Sequence, residues 1–164
     1  MLYDQTLSRV ETYFDKTASK TWEQLTSDAP VSKIRQTVRT GRERMRNKLL
    51  VQLPNDLSEA RILDAGCGTG QLTTELVKRG ASVVATDISN SLIQIAKKRI
   101  PKDYHRKINF HVGDLCNKDL GQFDYVIAMD SLIYYSLNDL SRILIGLKQR
   151  TTKEVIFTVA PRTK

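Results

Sequence analysis

Apolar and polar positions follow one rhythm up to about residue 57 and another beyond it. From residue 58 onward, short runs rich in β-branched residues, "RILDA" (61–65), "SVVATD" (82–87), "INFHV" (108–112), "FDYVIAMD" (123–130) and "EVIFTVA" (154–160), read as strands. Between them lie "QLTTELVKR" (71–79), "NSLIQIAKKRI" (90–100) and "DLSRILIGLKQ" (139–149), whose apolar residues recur at helical spacing. This alternation predicts an α/β fold: a mostly parallel sheet of about five strands with helices on both faces. Gly80 after Lys78 and Arg79 marks a helix C-terminus, and Ser89 is placed to cap the next helix. Only "GDLCNKDLGQ" separates the third strand from the fourth, so the third crossover helix is expected to be missing or reduced to "CNKDLGQ".

The first 57 residues contain no strand pattern and read as a helical cap, distinct from the 58–164 core. Within "VSKIRQTVRTGRERMRNKLLVQL", Val31, Ile34, Val38, Met45 and Leu49 fall on one helical stripe, and basic residues crowd the other faces. Two readings follow: a helix packed by that stripe with solvated arginines, or an anion clamp or membrane-surface face in which Arg35, Arg39 and Arg42 share one side. Upstream, Tyr13, Phe14 and Trp22 suit the core of a lid.

Candidate chemistry gathers at the strand ends. In "ILDAGCGTGQL", Gly66, Gly68 and Gly70 lie between the first strand and the first helix, where a mononucleotide-type ligand meets the carboxyl edge of such a sheet. Asp87 closes the second strand, where a carboxylate accepts both hydroxyls of a ribose. Gly-x-Gly-x-Gly differs from the Gly-x-Gly-x-x-Gly that suits a pyrophosphate, and Asp64 just before the loop repels phosphate while favouring a cation. A ligand with adenine, ribose and a positive amino or sulfonium group meets these preferences, which points to S-adenosylmethionine. Asp114, in "FHVGDL" after the third strand, is placed either to accept the adenine amino group or as a turn aspartate. Asp130 ends the fourth strand, beside the approach of a methyl acceptor.

Composition adds limits. The 164 residues, 40% of them apolar, suffice for one sizeable core. The first twenty residues carry no secretory apolar run, and no stretch reaches membrane-span length, so a cytoplasmic location is expected. Cys67 and Cys116 have no partner at metal-ligand spacing, and no metal is expected. A net charge of +8 suits an anionic partner without choosing among nucleic acid, membrane and small acid.

"YFDKTASKTWEQLTSDAPVSKIRQTVRTGRERMR", "LPNDLSEARILDAGCGTG", "AMDSLIYY" and the closing "FTVAPRT" together resemble the magnesium-protoporphyrin IX O-methyltransferases, a family of class I, Rossmann-like S-adenosylmethionine-dependent enzymes. The similarity covers nearly the whole chain. The family continues past "APRT" into further helices and strands, so the resemblance marks this sequence as truncated at its C-terminus. The family's usual "LIHY" reads "LIYY" here, with Tyr134 at the histidine.

The resemblance implies esterification of one propionate of Mg-protoporphyrin IX in chlorophyll or bacteriochlorophyll synthesis. The alternatives are another small acceptor, or a truncated non-catalytic module that binds S-adenosylmethionine. Implied cofactor residues are Asp64, Gly66, Gly68, Gly70, Asp87, Ile88, Asp114 and Leu115. Arg35 and Arg39 are candidates for carboxylates, Trp22 and Tyr135 for the flat macrocycle, and Tyr134 with Asp130 for catalysis. The expected partners are the tetrapyrrole, a magnesium chelatase subunit and a membrane surface touched peripherally, with no nucleic acid.

Overall fold

All five predicted strands join one parallel sheet. The computed structural model describes residues 2–161, so Arg162 and Thr163 of the closing motif lie outside the described residues. The strands are β1 (Arg61–Ala65), β2 (Ser82–Asp87), β3 (Ile108–Val112), β4 (Phe123–Ala128) and β5 (Thr151–Phe157), in the order β3-β2-β1-β4-β5. The order reverses at β1, so β1 and its neighbours β2 and β4 flank the crevice in which doubly wound sheets bind ligands.

The crossovers follow the periodicity. Helix α4 (Gln71–Lys78) lies between β1 and β2, α5 (Asn90–Arg99) between β2 and β3, and α6 (Leu137–Gln149) between β4 and β5. Ile62, Leu76, Val83, Ile93 and Ile127 pack in one core cluster, and Leu63, Val84, Phe123, Val126 and Leu147 in another. A period-2 strand buried on both faces feeds both clusters, which is why β1, β2 and β4 read as nearly continuous apolar runs. The β3–β4 connection holds only a 3-10 turn, Lys118–Leu120, as the short "CNKDLGQ" predicts. Gly80 ends α4 at φ 96°, with Gly80 N–H on the Val77 carbonyl and Ala81 N–H on that of Leu76, and Ser89 Oγ accepts from Leu92 N–H at the start of α5. β5 begins three residues earlier than its apolar run, because Thr151 and Thr152, both β-branched, extend the ladder opposite Phe123.

The N-terminal segment is helical throughout: α1 (Tyr3–Thr12), a π-helical stretch (Tyr13–Ala18), α2 (Ser19–Leu25) and α3 (Lys33–Leu50). Its orientation corrects the stripe expectation. Ile34 is 79% exposed, and Val38 and Met45 are exposed as well. Arg39 and Arg42 turn inward, and the apolar anchor comes from Leu49 and Leu50 at the helix's end. Arg39 donates to the carbonyls of Leu25, Gln24 and Ala29, satisfying oxygens at the C-terminal end of α2 and in the turn after it. Such carbonyl-rich chain ends attract a five-donor guanidinium that a valine stripe cannot replace.

Candidate active site

Loop 66–70 sits at the carboxyl edge of β1, held almost entirely by its own sheet. The N–H groups of Gly66 and Cys67 both donate to the Thr86 carbonyl, Gly68 N–H to Asp87 Oδ2 at 2.9 Å, and Gly70 N–H to the Cys67 carbonyl. With these four amides already spent, the loop does not offer the row of free N–H donors that cradles a phosphate. That agrees with the Gly-x-Gly-x-Gly spacing.

The glycines have separate reasons. Gly66 adopts φ +81°, and a Cβ there would come within 2.3 Å of the Ser131 Cβ, so the β1 and β4 loops touch backbone to side chain. At Gly70 a Cβ would strike Ile100 and Ala96 of the α5 region. Its role is therefore helix packing, and it does not line the cleft. Gly68 does line it, opposite the Trp22 indole.

Four acids divide along the edge. Asp87 accepts from Gly68 N–H with one oxygen and from Ser89 N–H with the other, each at 2.9 Å, which leaves further lone pairs toward the cleft. Burial pushes its carboxyl up to about 6, against the pull of those amides. Asp64 is only 1% exposed and accepts from Thr73 Oγ1 at 2.6 Å. Burial, with the Asp87 charge adding, raises it to about 7. It lies behind the loop, in the wall of a smaller hollow shared with Gly66, Arg42 and Arg46. Asp114 Oδ1 accepts from Tyr3 Oη and Cys116 N–H, both at 2.8 Å, so Oδ2 remains for a ligand. Asp130 occupies the left-handed region at φ 55° and holds Thr158 Oγ1 and, at 2.8 Å, Arg42 Nη1.

The cleft itself is lined by Gly66, Gly68, Asp87, Ile88, Asp114, Leu115, Asp130, Tyr134, Tyr135 and Trp22. Of the residues named from sequence, Asp64 and Gly70 stand behind it, Arg35 is an exposed partner of Gln24, and Arg39 is committed to α2. Arg35 and Arg39 are thus not brought to the cleft, and Arg42 is. Sequence reasoning missed Leu7 and Val10, which roof it from α1 together with Phe14 of the π-helical stretch, the residue expected in the core of a lid. Phe14 is buried edge-on between Trp22 and Tyr134, at 5.8 and 6.0 Å. The available signal was the i, i+3, i+7 spacing of Leu7, Val10 and Phe14. Burial raises the Tyr134 hydroxyl above its ordinary value, so it stays a neutral donor at neutral pH.

A cleft floored by carboxylates, roofed by aromatics and lacking phosphate donors fits adenosine carrying a positively charged sulfonium and an amino group. The comparisons with known proteins agree. Residues 62–153 match a family model described as a methyltransferase domain. Over 98% of its length the chain is 56% identical to magnesium-protoporphyrin O-methyltransferase of Rhodobacter capsulatus, of which it spans 72%. It is 29% identical, over 99% of its length, to magnesium-protoporphyrin O-methyltransferase of Synechocystis sp., spanning 71% of that protein. The crystal structure of magnesium protoporphyrin IX methyltransferase from Synechocystis PCC 6803 with bound S-adenosylmethionine superposes with a TM-score of 0.83 at 26% identity, covering 96% of this chain and 77% of that one. Fold and site define a class I, Rossmann-like S-adenosylmethionine-dependent methyltransferase. Within that class, the chain belongs to the magnesium-protoporphyrin O-methyltransferase family.

Proposed function

We propose that this protein esterifies one propionate of Mg-protoporphyrin IX, giving the monomethyl ester and S-adenosylhomocysteine in chlorophyll or bacteriochlorophyll synthesis. The carrying observation is the 56% identity across 98% of the chain, which includes the N-terminal segment that roofs the cleft. S-adenosylmethionine supplies an electrophilic methyl on a positive sulfur, and the propionate oxygen takes that methyl as the carbon–sulfur bond breaks onto sulfur.

A propionate is already ionised at pH 7, so no residue has to remove a proton. The protein's work is alignment and exclusion of water. Asp87 and Asp114 fix the adenosine by its ribose and adenine, Ile88 and Leu115 supply apolar walls, and Gly68 lets the ligand approach the loop. Leu7, Val10, Phe14 and Trp22 cover the cleft, and holding the reactants in line there is worth up to roughly 7–11 kcal/mol. Tyr134, a neutral donor, orients a carboxylate. Asp130, paired to Arg42, acts by holding the guanidinium and not as a base. Trp22 and Tyr135 present aromatic surface to the macrocycle.

The reading extends to partners. The 1–57 helices form the cap and residues 58–164 the cofactor-binding core. Helix α3 carries seven cations against one acid, with Ile34, Val38 and Met45 exposed, which supports contact with an anionic membrane surface or an acidic face of a magnesium chelatase subunit. Among the described residues no helix is long and apolar enough to cross a membrane.

The test is mass-spectrometric detection of Mg-protoporphyrin monomethyl ester after incubation with Mg-protoporphyrin IX and S-adenosylmethionine, beside the Asp87→Ala variant. Ester from the parent and at least tenfold less from the variant is expected. A folded parent that binds S-adenosylhomocysteine yet yields no ester overturns the proposed acceptor.

A further inference from the structure

Arg42 stands out among the cleft residues because its hydrogen bonding is incomplete. It reaches from the middle of α3, 88 residues away in sequence, to pair Nη1 with Asp130 Oδ2 at 2.8 Å, and its guanidinium lies 4.5 Å from the Trp22 ring centre. Its Nε is the one fully buried side-chain nitrogen or oxygen without a hydrogen-bond partner among the described residues. A buried N–H of a cation left unpaired is costly, and native structures seldom keep one unless a ligand or water completes it.

Its position indicates which ligand group that is. The main cleft runs from Asp114 and Leu115 at one end, past Asp87, to Gly66, Met129 and Asp130 at the other. The hollow behind the loop shares Gly66, Cys67, Met129 and Arg42 with the cleft. With adenine at Asp114 and ribose at Asp87, the amino-acid tail of the cofactor extends toward the end where Arg42 is shared. There the surrounding acids, Asp64, Asp87 and Asp130, suit an amino group and repel a carboxylate, so the tail's carboxylate needs a cation of its own.

We infer that Arg42 receives the α-carboxylate of S-adenosylmethionine on its unpartnered Nε–H, with Asp130 and Trp22 holding the guanidinium plane in register. This rests on the methyltransferase reading above. The cofactor then forms a bridge between α3 and the sheet, so that the carboxylate subsite belongs to the cap although the adenosine subsite belongs to the core. A propionate of the tetrapyrrole offers the same chemistry. Position at the tail end of the cleft assigns Arg42 to the cofactor.

The experiment is calorimetric binding, without tetrapyrrole, of S-adenosylhomocysteine and of 5′-methylthioadenosine, which keeps the adenosine and sulfur but lacks the amino-acid tail. Arg42→Met is expected to weaken S-adenosylhomocysteine by about 10- to 100-fold, the range for a charge-assisted hydrogen bond, and methylthioadenosine by less than about 3-fold. Arg42→Lys, which keeps the charge and loses the planar fork, should fall between. Because Arg42→Met strips Asp130 of its partner, Arg42→Met/Asp130→Asn is measured as well. It should restore the melting temperature and not the affinity for S-adenosylhomocysteine. Equal losses for both ligands would assign Arg42 a structural role only. Unchanged cofactor binding with a raised KM for Mg-protoporphyrin IX would hand it to the substrate's propionate. Either result overturns the inference and leaves the methyltransferase reading in place, whereas a folded parent that binds neither adenosine ligand defeats both.

Discussion

The sheet edge and helix α3 meet at the same cleft, yet they reach it by opposite use of their side chains. At the sheet edge, hydrophobic residues point inward and acids emerge where the strands stop. On α3, hydrophobic residues Ile34, Val38 and Met45 point outward while Arg39 and Arg42 point inward. The core buries apolar surface and uses strand ends for chemistry, so its stability and its chemistry occupy different positions. The N-terminal segment buries little apolar surface along α3 before Leu49 and Leu50, and it adds to the packing of Phe14 and Ala18 against Leu92 a set of directed polar contacts. These include Arg42 to Asp130, Tyr3 to Asp114, and Asp15 to Ser89 and Ser91 at the start of α5. Two of those contacts end on acids, Asp130 and Asp114, that also line the cleft.

A change confined to the sheet edge should therefore be the most damaging. Gly66→Ala places a Cβ 2.3 Å from the Ser131 Cβ in a backbone conformation that costs an L residue about 1–2 kcal/mol, and overpacking of a rigid site adds about 1–3 kcal/mol. The expected outcome is a melting temperature lowered by at least 5 °C together with loss of detectable S-adenosylhomocysteine binding, the temperature shift following from a destabilisation of roughly 3 kcal/mol in a domain of this size. Scanning calorimetry with and without ligand checks it. Wild-type affinity in the variant would mean that the β1 and β4 loops yield independently, and the contrast between a rigid edge and a polar-latched cap would collapse.

The same division explains what the sequence made legible. Strand and helix periods from residue 61 onward follow burial because the sheet carries a core cluster on each face and the helices pack onto one or the other, so the sheet, the reduced third crossover, the Gly80 terminus and the Ser89 cap could all be read locally. The cleft residues Asp87, Asp114 and Asp130 were legible for the same reason, since strand ends converge on one edge. On α3 the apolar stripe misled because hydropathy registers transfer energy and is blind to what unpaired carbonyls elsewhere require. Arg39 faces inward to serve the carbonyls of Leu25, Gln24 and Ala29, a demand created 10 to 15 residues away. Arg42 over Arg35 could not be chosen without knowing how α3 is rotated about its axis. The spread of duties among glycines was equally hidden: Gly66 and Gly70 avoid different neighbours, and neither neighbour is adjacent in sequence.

A pH experiment sharpens the comparison. Asp64 and Asp87 are buried in the core, and burial raises their carboxyls to about 7 and about 6. A carboxyl whose folded pKa exceeds its unfolded value binds more protons folded than unfolded, so folding stability falls as pH rises from about 4 through the folded pKa. The ligand-free protein should lose roughly 1–2 kcal/mol of stability between pH 5 and pH 8 from this pair, after discounting for relaxation around the charges. A cationic ligand favours the ionised acids, so affinity for S-adenosylmethionine should rise over the same interval while that for neutral-sulfur S-adenosylhomocysteine rises less. Chemical denaturation and titration calorimetry at pH 5, 6, 7 and 8 measure both. Stability that climbs with pH would show that the acids stay ionised through partners in the folded state, giving the core the same polar dependence as the cap.

The smallest expected effect on folding lies on the outer face of α3, where Ile34 has nothing to pack against. Ile34→Glu removes an exposed apolar side chain from a helix with seven cations and one acid, and it adds a carboxylate close to the helix N-terminus, where a negative charge is mildly favourable. The melting temperature should move by no more than the equivalent of about 0.5 kcal/mol, and S-adenosylhomocysteine affinity should not change, because the inward arginines are untouched. Co-sedimentation with vesicles containing phosphatidylserine should fall, since the variant loses both an inserting side chain and one unit of attraction worth about 1 kcal/mol. A large drop in stability would mean that the exposed stripe is covered by protein after all. Unchanged stability with unchanged sedimentation would confine α3 to latching the cap and leave its outer face without a membrane role.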